Sequence, residues 1–446
     1  MEISPLLLAR FQFALSLNFH VLFAAMAMAL GWLVCVFRYM SWRNPTGVWM
    51  DAYRFWVRIF ALTFFMALAS VIPLLLEVGV LWPSLLERMG NVAGPLIAFG
   101  ITTLFVTKSV FLGVMFFGQR RVSIKAHVFS VAMVAIGLTA TVFWGLVLIS
   151  WTHSPDGATL IDGRYLVTDW KDLILNASLF WLIIQFVAGS FLIVGCLLLC
   201  VTAWQSGRRP LEGYERAMYR LAVVLSLFAA VLELFALDGH LRALARTQPV
   251  TAAAVMGFWE TGSQPDFIWL GLPAVEGSQD AGLIVSDSGA KRWLAQQPDG
   301  QWIGLDQAEK DVPSAKTLFW LARLAAYILV WIAGLSVVAG WVIARRGDDP
   351  GKYPGWLLHA QVWLGGLAVV VWLCLWNLNE LERMPFMVWN TLRQEDVLTS
   401  APASLLLAGL VASLVIYGGL LIGWIRMLVH AARYGVVPVR KPGVRP

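Results

Sequence analysis

Two ionisable side chains stand inside long apolar runs of the sequence, where an ionisable group is unusual. His20 lies in the first run, and Lys108 lies near the middle of the third. Such groups are costly in hydrocarbon, so by default they indicate a function. A neutral imidazole at position 20 can ligate a metal or a heme iron, or it can hydrogen-bond to a neighbouring helix. We expect Lys108 to face a partner carboxylate or a water-filled cavity, and the alternative is a structural ion pair inside the bundle.

Other polar residues in or beside the apolar runs are weaker candidates. Gln185 lies midway along the fifth run, where glutamine commonly forms interhelical hydrogen bonds. Glu233, Asp238 and Arg323 lie near the outer ends of their runs, where we expect ordinary solvation. Residues 379–386 place two carboxylates beside an arginine, which can bind a cation, hold a heme propionate or cap a helix end. The remaining histidines are expected at the surface: His127, His153, His240, His359 and His430.

The composition indicates that lipid is the solvent of this chain. Of its 446 residues, 59% are hydrophobic and 13% are charged, whereas about 25% of the residues of a soluble domain are charged. The net charge of +6 does not indicate nucleic acid as a partner, because basic residues lie in short loops between apolar runs. The four cysteines lie inside those runs without a paired metal-binding motif, so we interpret them as buried thiols.

Nine apolar runs approach the length of about 20 residues that a bilayer-spanning helix needs. Lysine and arginine cluster in alternate loops, which predicts an N-terminus outside the cytoplasm and a cytoplasmic C-terminus. The predicted fold is therefore an all-α integral membrane protein with a nine-helix transmembrane bundle. The runs are residues 15–37, 59–78, 94–117, 128–150, 177–202, 221–237, 317–344, 357–378 and 403–429.

A long polar segment divides the predicted bundle into two parts. Residues 239–316 are rich in glycine, proline and glutamine and carry more acidic than basic side chains, so we expect an external loop. Residues 1–238 then contain helices one to six, and residues 317–446 contain helices seven to nine and a cytoplasmic tail. No internal repeat is evident in the sequence, which argues against an inverted-repeat transporter.

Short segments spread over nearly the whole chain resemble subunit I of the cytochrome bd quinol oxidases. Each motif alone is weak, but their order and spacing follow the family pattern, as do the nine helices and the loop after the sixth. The length of that loop suits the short-loop branch of the family. The segments are 8–14 leading to His20, 94–96 and 116–118 around the third helix, Trp259-Glu260-Thr261 in the outer loop, and Glu380, Arg383 and Pro385 after the eighth helix.

The resemblance implies a role for each candidate residue. His20 would be an axial ligand of a heme iron, as the histidine of the first helix is in the family. The other candidate cofactor-binding residues are Glu380, Arg383 and Arg323. The remaining candidates are Trp259 and Glu260 as a signature of the loop that handles quinol, and Lys108, Gln185 and Asp238 for a proton path or an intramembrane polar role.

Most of the other ligands expected from the resemblance are replaced. The family's low-spin heme uses a histidine and a methionine, and the matching positions hold Gln185 and Ala325, neither of which is a usual axial ligand. We therefore expect fewer than three hemes, and quinol binding stays open. The other replaced positions are Phe99 and either Thr107 or Lys108 for two glutamates, Leu373 for a third, and Thr251 and Met256 for a lysine and a glutamate linked to quinol.

Two functions are compatible with this pattern of matches and replacements. The first is a subunit of a cytochrome bd-type terminal oxidase-like respiratory complex in the bacterial cytoplasmic membrane, with a second membrane subunit of bd-type fold, either subunit II or another subunit I-like chain. The alternative is a heme-free partner or scaffold subunit paired with a catalytic chain. A third option, an ion- or proton-translocating protein, rests on Lys108 alone. We predict instead that Lys108 blocks proton entry, because a fixed cation raises the barrier to a second one.

Overall fold

The chain folds into an all-α bundle with nine membrane-spanning helices in the part that the structure describes. The structure is a computed structural model. It describes residues 4–262, 267–270, 283–285, 288–307 and 315–435. Part of the predicted external loop and the end of the predicted cytoplasmic tail therefore lie outside the described residues. The two ends of the bundle are called outer and inner, following the orientation that the basic residues predict.

All nine predicted apolar runs form helices, and most of these helices continue past the run at both ends. The apolar residues form the part of each helix that spans the membrane. The polar residues at its ends extend the helix to where water can hydrogen-bond to the last backbone groups. The third span consists of two helices joined by a π-helical turn. The helices are α1 Pro5–Arg43, α2 Trp49–Leu81, α3 Leu85–Val106, α4 Gly113–Phe117, α5 Ile124–His153, α6 Trp170–Ile174, α7 Leu179–Ser206, α8 Gly213–Thr247, α9 Pro249–Met256, α10 Ala315–Arg346, α11 Gly355–Glu382 and α12 Ala403–Tyr434.

Helices α1 and α7 are the most buried spans, whereas α3–α4 and α12 are the least buried. Helix α1 packs against α2, α5 and α12, and α7 packs against α8 and α11. Small side chains permit this close approach, since Ala25, Ala27 and Ala29 of α1 are all buried. The core therefore lies around α1 and α7, and the outward faces of α3 and α12 are open in this single chain.

Short strands and 3₁₀ turns complete the described chain outside the spans. The first hairpin turns at Asp162 and Gly163, whose φ angles of 49° and 75° suit the tight turn that Asp-Gly favours. The paired strands are β1 Ala158–Ile161 with β2 Arg164–Val167, β3 Phe267–Leu270 with β4 Leu283–Val285, and β5 Phe386–Val388 with β6 Leu392–Arg393. The 3₁₀ turns are Ser288–Trp293, Leu305–Gln307, Pro350–Lys352 and Glu395–Val397.

The π-helical turn Thr107–Leu112 interrupts the third span. A π turn holds one residue more than an α turn and is frequent at functional sites. It directs Thr107 onto α5, where the side chain leaves no room for a Cβ at Gly137. The next residue, Lys108, lies on the open side of the helix.

The sixth span extends farther than its apolar run predicts. Helix α8 continues to Thr247, past the predicted boundary at residue 238, and α9 follows directly. Helix α9 has Pro249 in its first turn and ends at Gly257, whose φ of 72° terminates the helix. Because α9 packs on α8 and α10, the first part of segment 239–316 forms a helical layer over the outer end of the bundle.

Candidate functional site

A large cavity lies in the outer half of the bundle, between α1, α2, α3 and α5. Its volume is about 410 Å³, which is within the range of roughly 300–1,000 Å³ typical of cofactor sites. Leu75 and Ile101 line it and are 46% and 56% exposed, so the cavity opens sideways between α2 and α3. The ionisable residues that line it in the described chain are His20, Glu380 and Arg383. The predicted site residue His20 thus lines the same cavity as Glu380 and Arg383, which are distant from it in sequence.

His20 is held in one tautomer by the second helix. Its Nδ1 lies 3.1 Å from the carbonyl oxygen of Ala67 and 3.0 Å from Oγ of Ser70. A carbonyl oxygen can only accept a hydrogen bond, so Nδ1 carries the proton and donates it. Nε2 has no hydrogen-bond partner among the described residues, and the ring lines the cavity. Metal-ligating histidines commonly have this arrangement, with one nitrogen donating to a backbone carbonyl and the other binding the metal.

The outer end of the cavity carries an arginine beside a carboxylate. Arg383 donates from Nη2 to Glu380 Oε2 at 2.5 Å and from Nη1 to the backbone oxygen of Met387 at 2.8 Å. The side chain of Arg383 is buried, and its Nε has no hydrogen-bond partner within the described ranges. A buried guanidinium with a spare donor suits a further carboxylate, such as a heme propionate.

The donor set of this cavity fits an iron porphyrin better than a bare metal ion. No group of three His, Cys, Asp or Glu side chains that could hold a metal ion occurs among the described residues. A porphyrin supplies four ligands of its own and needs only axial ligands from the protein, a role that His20 can fill. The thioethers of Met89 and Met387 also line the cavity. Apolar walls accept the faces of the macrocycle, and Arg383 stands where propionates would emerge.

The position that the resemblance assigns to a low-spin heme is filled by protein. Gln185 is buried and accepts a hydrogen bond from Asn379 Nδ2 at 2.9 Å. Trp372 and Trp376 of α11 line the same place, with nearly parallel rings whose centroids are 6.1 Å apart. The remaining gap is about 10 Å³, which is room for about one water molecule. Ala325 is buried as well. Neither position offers a usual axial ligand, and the gap beside Gln185 is far too small for a porphyrin.

Glu233 is buried, so the expectation of ordinary solvation is wrong for this residue. Its side chain is 1% exposed and lies beside Gly189 and Trp372. Oε2 has no hydrogen-bond partner in the described chain, and the residue lines the same small gap as Gln185. The face of α8 that carries Glu233 is covered by α7 and α11, and distance from the end of an apolar run does not reveal which face is covered.

Arg323 is also buried, at 5% exposure, instead of being solvated. Its Nη1 donates to the backbone oxygen of Val255 at 2.6 Å, and its Nη2 donates to that of Met256 at 3.0 Å. These carbonyls end α9 and have no partner within that helix. The guanidinium also lies 3.7 Å from the centroid of the Phe319 ring. Arg323 does not line the cavity of His20, so the structure does not bring it together with the other candidate cofactor-binding residues.

Arg323→Leu is expected to loosen α9 from the bundle. A hydrogen bond from a charged donor contributes about 1.5–3 kcal/mol, and this change removes two of them and leaves two buried carbonyls unpartnered. We expect the melting temperature of the purified protein in detergent to fall by several degrees. Arg323→Lys, which keeps the charge but not the forked geometry, should give an intermediate value. A melting temperature unchanged in Arg323→Leu would contradict this role.

Asp238 joins the sixth span to the external layer. Its carboxylate accepts hydrogen bonds from Trp293 Nε1 at 3.0 Å and from Arg292 at 3.2 Å, and it also pairs with Arg242. These contacts tie the outer end of α8 to the 3₁₀ turn Ser288–Trp293. Asp238 is only partly buried, as expected for a residue near the interface. A proton-path role for Asp238 stays a prediction.

Trp259 and Glu260 lie in the turn that follows α9. The backbone oxygen of Trp259 accepts a hydrogen bond from the Asp306 backbone at 2.9 Å, and Glu260 is exposed. The two positions that would carry ionisable quinol-site residues hold Thr251 and Met256, which are buried in α9. Trp259 and Glu260 therefore lie in the layer over the outer end of the bundle. Their role in quinol binding stays a prediction.

Two of the histidines expected at the surface are buried instead. His127 is fully buried and accepts a hydrogen bond from Arg38 Nε at 2.9 Å, and His153 is 8% exposed. Both stand near helix ends that other segments cover, so the end of an apolar run is not always the protein surface. His240 is partly buried within α8, and its Nε2 donates to Glu382 at 2.9 Å. The two that are exposed as expected are His359 and His430.

Lys108 neither faces the cavity nor forms an ion pair inside the bundle. The side chain is exposed on the outward face of the third span, and no carboxylate of the residues that the structure describes pairs with it. The alternative of a structural ion pair is therefore wrong for the residues that the structure describes. In the π turn it is Thr107, and not Lys108, that packs on α5. A lysine is among the costliest side chains in hydrocarbon unless it is paired or faces water.

Glu77 is a buried acid that the sequence pattern did not single out. It is 7% exposed and lies where α1, α2 and α12 meet. Its Oε1 accepts hydrogen bonds from Ser16 at 2.7 Å, Ser413 at 3.1 Å and Gln12 at 3.3 Å. Glu77 is the only acidic residue of the apolar run 59–78, and that was the signal by which it could have been found.

The sequences of known proteins place the chain in a family. The family described as cytochrome bd terminal oxidase subunit I matches residues 8–436. The cytochrome bd ubiquinol oxidase subunit 1 of Bacillus subtilis (strain 168) is 26% identical over 432 residues, covering 93% of this chain and 90% of that protein. The cytochrome bd-II ubiquinol oxidase subunit 1 of Escherichia coli (strain K12) is 25% identical over 260 residues, covering 58% of this chain and 51% of that protein.

The same fold occurs in a solved oxidase. The bd oxidase from Geobacillus thermodenitrificans superimposes with a TM-score of 0.85 and 21% sequence identity, covering 96% of this chain and 98% of that chain. The predicted all-α transmembrane fold is thereby confirmed, and so is the family that the short motifs indicated. The chain belongs to the cytochrome bd terminal oxidase subunit I family, whose bacterial members are heme-binding, multi-pass proteins of the cytoplasmic membrane that work within multi-subunit complexes.

Proposed function

We propose that this chain is a subunit of a cytochrome bd-type terminal oxidase-like respiratory complex and that it binds a reduced set of hemes. The observation that carries the proposal is the apolar cavity of about 410 Å³ with His20 in its wall. The proton of His20 is committed to α2 through Nδ1, and Nε2 is unpartnered in the described chain. The cavity and a side chain that can bind iron thus lie at the same place.

The chain's own residues would hold and shield the cofactor. When bound, heme supplies one-electron redox chemistry and an axial position for oxygen. His20 would bind the iron through Nε2, while the carbonyl of Ala67 fixes the rotation of the ring. Arg383, already bonded to Glu380, would pair with propionates at the outer end of the cavity. The apolar wall excludes water, so these charges act in a medium of low dielectric constant.

The heme set is proposed to be reduced because the low-spin position is closed. The gap beside Gln185 is about 10 Å³, and Ala325 offers no ligand. This chain would therefore receive electrons from a second membrane subunit of bd-type fold, either subunit II or another subunit I-like chain. Quinol oxidation is not assigned to this chain, because the buried residues Thr251 and Met256 provide no ionisable partner for a quinol hydroxyl.

The topology of the chain is part of the same proposal. Basic residues favour an N-terminus outside the cytoplasm and a cytoplasmic C-terminus. Residues 1–238 and 317–446 would then hold the spans, and residues 239–316 would form the external segment that contains Trp259 and Glu260.

A heme-free partner or scaffold subunit is the second candidate. It is favoured by Phe99 and Leu373, which stand where the resemblance would place glutamates. Phe99 stacks on Trp144 with ring centroids 4.9 Å apart and is 52% exposed, so it contributes no ligand to the cavity. Such a chain would retain the fold and its contacts with a catalytic subunit. The heme content of the purified complex distinguishes the two candidates.

Installing the missing low-spin ligands is expected to leave the heme content unchanged. Gln185→His with Ala325→Met provides both ligand types, yet the gap beside Gln185 is about 10 Å³, far below the several hundred Å³ that a cofactor of about this size occupies. The tagged chain, purified with its partners from membranes, should have the same heme-to-protein ratio as the double variant in a pyridine hemochrome assay. That ratio should lie below that of a three-heme oxidase.

Gln205→His is the matched control, since Gln205 is another buried glutamine of α7. An additional heme in the double variant, absent from this control, would show that the low-spin site can open and would contradict the proposed closure. A complex whose only hemes are bound by the partner would overturn the proposal in favour of the heme-free subunit.

A further inference from the structure

The exposed face of the third span carries a charge without a partner. Lys108 lies in the π turn Thr107–Leu112, about 13 Å from the inner end of the span at Phe117 for a helical rise of about 1.5 Å per residue. The hydrocarbon core extends roughly 15 Å to each side of its midplane. The α-carbon of Lys108 therefore lies deep in that core, and its side chain can shorten the distance to water only in part.

The side chains around Lys108 on this face are large and apolar. Ile101 and Phe105 precede Lys108 by seven and three residues, which places them on the same side of the helix, and they are 56% and 66% exposed. None of the described carboxylates pairs with the lysine. Lipid tails can cover the two apolar residues at no cost. Lipid tails offer nothing to an ammonium group, which in membranes is normally paired or faces water.

The sideways opening of the His20 cavity lies on the same face. Leu75 and Ile101 line the cavity and are exposed. Ile101, Leu104 and Lys108 follow at intervals of three and four residues, which places them along one side of the helix. A protein segment that covers Lys108 would therefore also close the mouth of the cavity, whereas a lipid tail could enter it.

We propose that this surface, the Lys108 face formed by Ile101, Phe105 and Lys108, docks a transmembrane helix of a partner subunit that carries an aspartate or glutamate opposite Lys108. Charge complementarity selects this occupant, because one carboxylate compensates the lysine and is compensated by it within the hydrocarbon. An apolar helix or a lipid leaves the charge uncompensated. The proposal rests on the proposed function in one respect, the presence of a partner membrane subunit.

A photo-crosslinker at position 105 identifies what covers the face while Lys108 stays intact. Benzoylphenylalanine would replace Phe105 in the tagged full-length chain, and the complex would be irradiated in native membranes and digested for mass spectrometry. The expected adduct is a transmembrane peptide of another subunit with an Asp or Glu within one helical turn of the linkage. The matched control is position 228, where Phe228 of α8 is 65% exposed on a different span. Adducts at position 105 with lipid alone, or with a helix that has no carboxylate there, would overturn the proposal.

Charge exchange then tests the pair itself. Lys108→Met should lower the amount of the crosslinked subunit that co-purifies by about tenfold, the effect of one good buried contact. Lys108→Glu should lower it further, and Lys108→Arg should retain it. Changing the partner's carboxylate to lysine should restore co-purification with Lys108→Glu. Unchanged co-purification with Lys108→Met, or no restoration in the exchanged pair, would refute the pairing.

The heme spectrum separates this inference from the proposed function. If the chain retains a His20-dependent heme spectrum while position 105 links only to lipid, the docking proposal fails and the proposed function stands. If position 105 links to an acidic partner helix but the chain has no heme of its own, the docking proposal stands and the heme-bearing function fails. Retention of the heme spectrum in Lys108→Met also shows that this variant has folded.

Discussion

His20→Ala is expected to remove the heme that we propose this chain binds. Nε2 of His20 is the proposed iron ligand, its tautomer is fixed by the bond from Nδ1, and alanine leaves no imidazole in its place. Mutations of residues that only support a metal ligand commonly lower affinity by about 10–100-fold. Loss of the ligand itself should lower the heme affinity by more than this factor. The measurement is the reduced-minus-oxidised absorbance spectrum of the purified complex, together with its heme-to-protein ratio.

Two further variants make this result specific. Ser70→Ala removes the hydroxyl that lies 3.0 Å from Nδ1 and should weaken heme binding by about 10–100-fold rather than abolish it. His359→Ala is the matched control, because His359 is exposed and bonds only to the backbone of its own helix, at Gly355. A heme spectrum that is identical in His20→Ala and in His359→Ala would end the case for His20 as a ligand.

The nine spans and His20 could be predicted because both depend on a property that the sequence displays directly. A bilayer forces every backbone group to be satisfied within the helix and every outward side chain to be apolar, so each span must contain a long apolar run. A histidine in such a run is conspicuous. The contact that fixes its tautomer, from Nδ1 to the carbonyl of Ala67, could not be predicted, because it depends on which helix lies next to α1.

The burial of Glu233 and Arg323 could not be predicted for the same reason. Both residues lie near the outer ends of apolar runs, where a side chain can be solvated or covered. The covering elements are α7 and α11 for Glu233 and the short helix α9 for Arg323. Helix α9 stands in a segment that lacks a long apolar run, so its place over the bundle follows from tertiary packing. The outward position of Lys108 could not be predicted either, because the apolar pattern does not reveal which face of the third span packs on α5.

The two sites that the resemblance assigns to heme differ in this chain, because one contains a cavity and the other is filled by side chains. Around His20 the wall is lined by many small and aliphatic side chains, and a cavity of about 410 Å³ remains. Around Gln185 the space is filled, because Trp372 and Trp376 of α11 lie side by side there. Ligand replacement alone would leave a porphyrin-sized void, which packing does not tolerate. The combination of replaced ligands and filled space beside Gln185 supports the proposal that this chain binds its own heme near His20 and receives electrons from a partner.

Glu77→Leu is expected to destabilise the junction of α1, α2 and α12. Three hydrogen bonds, from Gln12, Ser16 and Ser413, end on Oε1 of Glu77. Each interhelical bond of this kind contributes about 0.6–1.7 kcal/mol in membranes, so the three together contribute about 2–5 kcal/mol. Leucine has a similar size but leaves three buried donors without an acceptor. The melting temperature of the purified complex in detergent should fall by several degrees, a decrease similar to that expected for Arg323→Leu.

Glu77→Gln separates the hydrogen bonds from the charge. All three donors reach the same oxygen, Oε1, and a glutamine carbonyl at that place can accept them as a carboxylate does. We therefore expect Glu77→Gln to melt close to the unchanged protein, with Glu77→Leu far below both. If glutamine destabilised the protein as much as leucine does, the second oxygen or the proton of the acid would be what the junction requires. Glu77 would then join His20 among the residues that the membrane interior retains for function rather than for packing.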